Sequence, residues 1–288
     1  MPILICIISA FFWAAFDLTR KLTLKRINSK TLLLTFTLAQ LVFFIVWISV
    51  DTFNLKISEY VLPGTILICI SVISALFFLK AIKQSDLSLT IPLLSLSPLF
   101  SSIFSLIFLN EKLSSIQYFG VFLIIIGTLI LYSKRVTLFE VFRSFRIIAN
   151  NHSARLMILV SIMWSITPVL DKLCLKNSSI NIHGFIQSTG MLFFLIFLIA
   201  KNKDFERKSL RKNWKTVFLT ILIGLIASIL QFYAILSNYV PIMESIKRSI
   251  GQVSSVFLGN FFFKEKITKP KVFGVTILSI GVYFIIDF

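Results

Sequence analysis

Glu111-Lys112, followed by Phe119-Gly120-Val121 and Ile126-Gly127, returns later in the chain as Glu265-Lys266, Phe273-Gly274-Val275 and Ile280-Gly281, at a constant offset of 154 residues. Two further matches keep the same order. Trp13…Lys21-Leu22 recurs as Trp164…Lys172-Leu173, and Ala81-Ile82 as Ala234-Ile235. A single shared dipeptide carries nothing, but an ordered set of them marks an internal repeat. One copy falls in residues 1–150 and the other in 151–288.

Hydropathy says what each copy contains. The 288 residues are 57% apolar and only 14% charged, with a mean hydropathy of +0.93. A soluble domain holds about 45–50% apolar and about 25% charged residues. The excess, with 31 Phe, calls for lipid-facing surface. A helix crosses the hydrocarbon layer with about 20 apolar residues. Ten such runs are present: 3–20, 31–50, 62–83, 87–109, 114–132, 155–173, 183–200, 216–237, 240–262 and 270–286. They are continuous rather than alternating, and longer than the roughly 9–11 residues of a barrel strand. The first is not a cleavable signal, since it lacks a basic start and leads into Asp17, Arg20 and Lys21.

The expected fold is therefore all-α and integral to a membrane, with ten transmembrane helices. Five spans per repeat is an odd number, so the second repeat starts from the opposite face and the two are inverted. Secondary transporters are built in this way, with their site where the repeats meet. A duplicated bundle that transports nothing is the alternative.

Other classes find little support. The net charge of +17 would point to nucleic acid in a soluble chain. Here the cations gather between apolar runs, so the lipid bilayer is the expected partner and nucleic acid is not. Cys6, Cys69 and Cys174 have no disulfide or zinc spacing. His152 and His183 stand alone in or beside links, without metal-ligand company. HExxH, GxSxG and GxxxxGK[ST] patterns are missing, so neither enzyme chemistry nor a cofactor or metal is expected.

Breaks at matching places in the two halves are the best pointer to a transporter's site. The fourth span holds Pro92 and Pro98 among Ser95, Ser97, Ser101, Ser102 and Ser105. Proline inside a helix frees a carbonyl, which in lipid must find a partner in protein or in a wet cavity. The ninth span opens Val240-Pro241 and continues through Glu244, Lys247, Arg248, Gly251, Gln252, Ser254 and Ser255. Pro92, Pro98, Pro241 and Gly251 are thus the expected hinges. Ser95, Ser102, Gln252 and Ser255 are expected in the site, with helix packing as the other role open to each serine.

Glu244, Lys247 and Arg248 are the sharpest feature. Spaced three and four residues apart, they share one helical face. A charged residue at the centre of a span costs about 2.5–3.5 kcal/mol on insertion scales. Internal pairing leaves the trio at +1, which suits a carboxylate or phosphate, with Glu244 open to a cationic group on the same substrate. An internal salt bridge with Lys and Arg snorkelling to the surface is the competing reading. Asp17, Arg20 and Lys21 on the first span, and Asp171 and Lys172 on the sixth, lie near span ends and are expected to anchor at the interface. Trp13 and Trp164 lie deeper and are expected to line the cavity, with packing against neighbouring helices as the other role open to each. Gln231 and Tyr233 on the eighth span are uncharged polar candidates.

The ordered set resembles the drug/metabolite transporter superfamily, specifically its EamA-like ten-helix members. The matching features are Trp13 and Trp164 in the first helix of each half, Glu111-Lys112 and Glu265-Lys266 closing the fourth, and Gly120, Gly127, Gly274 and Gly281 in the fifth. The resemblance covers nearly the whole chain and implies carriage of small organic molecules, such as amino acids or other metabolites. With 10 Gly, this chain is poorer in glycine than the family pattern. The reading is a small-molecule carrier for a charged or zwitterionic metabolite, and a flippase for a lipid-linked or amphiphilic substrate is the alternative. Two complete halves predict function as a monomer, a homodimer being the other form.

The cations sort by side. Lys25, Arg26, Lys134, Arg135, Lys203, Arg207, Lys208, Arg211 and Lys212 fall in links of one side, against Lys56, Lys112, Lys172 and Lys176 on the other. The positive-inside rule makes the first set cytoplasmic and both termini external, in a cell or bacterial inner membrane.

Overall fold

The computed structural model describes residues 2–84, 91–133, 151–202 and 205–286. Helices α1 (Pro2–Leu24), α2 (Ser29–Val50) and α3 (Ile57–Gln84) come first. A 3-10 segment, Ile91–Leu96, runs directly into α4 (Ser97–Leu109), and α5 (Ser115–Tyr132) follows. The second half holds α6 (His152–Lys176), α7 (Ile180–Asn202), a short helix at Arg207–Lys212, α8 (Trp214–Ser237), α9 (Val240–Phe263) and α10 (Lys269–Ile286). Strands are absent among the described residues, apart from a single bridge between Leu55 and Ser178.

Local chemistry sets the helix starts. Asn28 and Asn151 each accept a bond from a backbone N–H of the first turn, at 2.7 and 3.0 Å. Ser114 and Gln117 form a reciprocal capping box on α5, so orphan donors are satisfied before the chain enters its apolar run. Helices α1, α2, α3, α6, α7, α8 and α10 are long and apolar enough to cross a membrane. The others differ for simple reasons. α4 and α5 are apolar but shorter, and α9 carries the Glu244, Lys247 and Arg248 charges. Phe193, Phe197, Phe257 and Phe261 stand out from the bundle into the surroundings, as a lipid-facing surface requires.

The helices pack across the two halves more than within them. α1 lies against α8 and α9, α6 against α3 and α4, α2 against α7, and α5 against α10. The last pair is antiparallel and fixed by glycine. A Cβ on Gly120 would sit 2.6 Å from the Gly281 carbonyl oxygen, and one on Gly281 would sit 2.8 Å from that of Gly120. Gly127 and Gly274 repeat this reciprocal contact at 2.9 and 2.7 Å. Backbone meets backbone there, which only small residues allow.

Interhelical bonds sort the links to two ends. At one end Asn238 Nδ2 donates to the Pro2 carbonyl at 3.1 Å, and Ser179 N to the Asn54 carbonyl at 3.0 Å. At the other, Arg26 Nη1 donates to Asn213 Oδ1 at 3.2 Å and Asn28 N to Glu206 Oε2 at 3.3 Å. Gln117 Nε2, at the start of α5, donates to the Ile285 carbonyl. Residues 2 and 286 therefore lie at one end, and the basic links 25–28 and 205–213 at the opposite one.

Two expectations about helix breaks change. Pro98 lies in the first turn of α4 and Pro241 in the first turn of α9, where an orphan N–H is missing anyway and proline opens no ladder. The fourth span is broken instead by the 3-10 segment before Ser97. The side chains of Pro92 and Ser95, and all of residues 85–90, lie outside the described residues.

The glycine contacts give a test. Gly120→Ala should lower stability by about 1–3 kcal/mol through overpacking against a rigid carbonyl. Gly190→Ala should lose less, because it meets only the flexible tip of Ile68. Thermal unfolding in detergent measures both, and equal losses would contradict the close approach.

Candidate functional site

A cavity of about 200 Å³ opens between α1, α2, α3, α6, α8 and α9. Lys247, Arg248 and Gly251 of α9 line it together with Trp13, Asp17 and Arg20 of α1, Trp164 and Asp171 of α6, and Gln231 of α8. A second lobe of about 140 Å³ shares Trp13, Gln40, Ser71, Asp171 and Gln231 and adds Gln187 and Ser188 of α7.

Glu244 holds the cationic wall in place. It is fully buried and lies behind the cavity lining. Arg248 donates to its Oε2 from Nη2 at 2.8 Å and from Nε at 3.0 Å. Ser97 donates to the same oxygen at 3.0 Å and accepts from Arg248 Nε at 2.8 Å. Lys247 Nζ lies 2.5 Å from Glu244 Oε1 and donates to Gln231 Oε1 at 2.9 Å. Each cation also faces an indole: Lys247 lies 5.3 Å from the Trp13 ring centre, and Arg248 5.3 Å from that of Trp164. Arg20 pairs with Asp17 and stacks over Phe16 and Phe78 at 4.1 and 4.5 Å.

The lysines of the repeated motif reach across to the glutamates of the other half. Lys172 Nζ lies 2.5 Å from Glu111 Oε1 and donates to the Asn238 carbonyl at 2.6 Å. Glu111 Oε2 accepts from Ser105 and from the Val240 N–H at 2.8 Å, so it also satisfies the start of α9. Lys21 pairs with Glu265 at 3.5 Å. The first bond lies at the Pro2 end of the bundle and the second at the basic end.

Comparison with known proteins follows the same two-part division. The family described as the EamA-like transporter family matches residues 1–133 and again residues 153–287. The chain belongs to the EamA-like transporter family. Comparison with curated proteins gives no match. Among 27 solved chains that match, one crystal structure superposes with a TM-score of 0.69 over 99% of this chain and 96% of its own, at 15% identity. That is a likeness of fold alone.

This EamA-like chain brings only some of the expected site residues together. Trp13, Trp164, Gln231, Lys247, Arg248 and Gly251 line the cavity. Lys247 and Arg248 form the internal ion pairs with Glu244 that the competing reading expects, and both also line the cavity. Gln252, Ser255 and Ser102 are buried between helices and outside the lining; Ser255 and Ser102 each donate to the carbonyl three residues back. Tyr233 is 43% exposed on the outer face, because the residues two apart at 231 and 233 project to different sides of α8.

The larger correction concerns Asp17, Arg20, Lys21, Asp171 and Lys172. None anchors at an interface: Asp17, Arg20 and Asp171 line the cavity, while Lys21 and Lys172 make the crossed bonds. His183 is also misplaced by the sequence reading. It is fully buried, with Nδ1 2.8 Å from the Tyr60 hydroxyl and Nε2 3.1 Å from Asp171 Oδ1. A histidine at the head of an apolar run, with an aspartate near the end of the preceding one, was the signal available.

Removing one partner of a buried ion pair costs about 3–5 kcal/mol. Lys172→Met should lower stability by that order, and Lys172→Met with Glu111→Gln should recover part of the loss. A double-mutant cycle on thermal unfolding measures the coupling, and additive losses would deny it.

Proposed function

We propose that this chain is a secondary transporter that moves a small charged or zwitterionic metabolite, amino-acid-like or an organic anion, by alternating access. The observation that carries this is the pair Lys247 and Arg248, held by Glu244 on the wall of a cavity between the helices. Cations are kept in a span against a desolvation cost when they meet an opposite charge, a ligand or water. Glu244 neutralises one of the two, so an anionic group on the substrate fits the remainder. The Trp13 Nε1–H has no partner among the described residues and offers a further donor.

Ten transmembrane helices arranged as two inverted repeats, 1–150 and 151–288, are part of this reading. The antiparallel, reciprocal contact of α5 with α10 supports the inversion, as does the exchange by which α1 meets α8 and α9 while α6 meets α3 and α4. The bonds Lys172–Glu111 and Lys21–Glu265 are then one contact made twice, at opposite ends of the cavity. Loosening one end while the other stays closed is what alternating access needs.

The two lobes, about 200 and about 140 Å³, together fall at the lower edge of the roughly 300–1,000 Å³ of drug-sized pockets, which favours a small metabolite over the amphiphile of a flippase. Two complete halves within one chain are in keeping with a functional monomer. The positive-inside rule places the basic links in the cytoplasm and both termini outside, in a cell or bacterial inner membrane.

The direct test is thermal unfolding of purified protein against amino acids, organic acids and phosphates. A ligand at 100 times its Kd should stabilise by about 2.7 kcal/mol. Arg248→Ala and Lys247→Ala should each weaken binding by about 1.5–3 kcal/mol, roughly 10- to 150-fold, and Tyr233→Ala should not. Normal transport in both cation variants would sink the site. For orientation, a reporter fused after Phe288 should be active only outside the cytoplasm; activity inside reverses the topology.

A further inference from the structure

The two lobes of the cavity differ in what they offer a ligand. Lys247 and Arg248 line the first lobe alone, whereas Asp171 lines both. Glu244 is engaged by Lys247, Arg248 and Ser97, and Asp17 by Arg20. Asp171 is different. Among the described residues neither Lys nor Arg pairs with it, and its one ion-pair contact is His183.

That contact belongs to a hydrogen-bond chain with a single direction. Gln187 Nε2 donates to the Gly64 carbonyl at 3.3 Å and to the Tyr60 oxygen at 3.1 Å. A carbonyl accepts only, so the Gly64 bond fixes which end of the Gln187 amide is nitrogen. With His183 neutral, Tyr60 gives its hydrogen to His183 Nδ1, and His183 Nε2–H donates to Asp171. The chain orients a carboxylate on the cavity wall. It also leaves Gln187 Oε1 buried without a donor among the described residues, on a residue that lines the second lobe. Gln187 is itself more than nine-tenths buried. A buried acceptor without a donor costs free energy until a ligand supplies one.

We infer that the second lobe is a subsite for a cationic group, an organic ammonium, met by Asp171 and Gln187 Oε1. The inference rests on the transport reading of the same cavity and narrows its substrate to a bipolar molecule. The anionic end lies at Lys247 and Arg248, and the ammonium at Asp171. Charge balance leads the same way. Lys247, Arg248 and Glu244 sum to +1, Asp17 and Arg20 cancel, and Asp171 contributes −1. A zwitterion meets both poles and leaves the sum at zero, whereas a lone anion leaves Asp171 uncompensated inside the span. Glu244, the residue expected from sequence to take the cationic group, is already ion-paired with both Lys247 and Arg248. His183 and Tyr60 act through Asp171 as positioning residues.

The test uses full-length purified protein and matched probes. L-Alanine is compared with propionate and ethylamine, and phosphoethanolamine with ethyl phosphate, so the two arms separate a carboxylate from a phosphate anionic end. One zwitterion should bind at least about tenfold more tightly than its counterpart lacking the ammonium. Asp171→Asn should weaken that zwitterion by about 10- to 150-fold while leaving the lone anion unchanged or tighter. Retained anion binding also reports a folded site. Should Asp171→Asn fail to fold, Tyr60→Phe provides the second reading, a reduced preference for zwitterion over anion. An anion bound as tightly as its zwitterion, with a selectivity that neither variant moves, overturns the subsite and leaves the anion site standing. Binding of none of the probes overturns both.

Discussion

Glu244 has no exposed surface, and the architecture around the cavity depends on how its charge is met. A lone carboxylate at such a place is untenable, since isolated buried charge carries a desolvation cost that dwarfs a single contact. Arg248, Lys247 and the Ser97 hydroxyl together satisfy it. That requirement draws the start of α4 against α9, and so joins the two halves at their most polar point. It also decides how the cations are displayed. With their near sides held by Glu244, Lys247 and Arg248 present the cavity with side chains of fixed geometry, each set by an indole. A preorganised site of this kind loses little side-chain freedom on binding.

The same rule, that charge in a span must find opposite charge, operates at both ends of the bundle. Lys172 meets Glu111, and Lys21 meets Glu265. Glu111 shows why such a contact is also conformational. Its carboxylate joins Lys172 of α6, Ser105 of α4 and the first N–H of α9, so three helices are tied at one point. Separating them exposes a charged pair and an uncapped helix start at once. A joint of that kind has two distinct arrangements, made or broken, with little stable ground between.

Apolar packing plays the complementary part. The glycine seam between α5 and α10 brings backbones together and makes that pair a stiff unit away from the cavity. The cavity itself lies among α1, α6, α8 and α9, where serine, threonine, glutamine and charged side chains stand among the leucines and phenylalanines. Rigid seam and polar centre are separate in space, so one can remain fixed while the other rearranges.

The sequence by itself determined the all-helical membrane class and the two-part division of the chain, because these rest on local quantities: a run of apolar residues long enough for the bilayer, and identities recurring at one offset. It also marked Glu244, Lys247 and Arg248, since three charges on one helical face inside an apolar run conflict with their surroundings wherever the helix lies. Tertiary structure alone decided the partners. Asp171 and Lys172 are adjacent in sequence, yet one faces the cavity and the other crosses to Glu111, because successive residues on a helix point about a quarter-turn apart. His183 looked like a loop residue until α3 and α6 packed on either side of it. Pro98 and Pro241 looked like breaks until the helices were seen to begin beside them. Which of two polar residues on α8 faces inward, Gln231 or Tyr233, depends on a rotation about the helix axis, and only packing against α1 and α9 sets that angle.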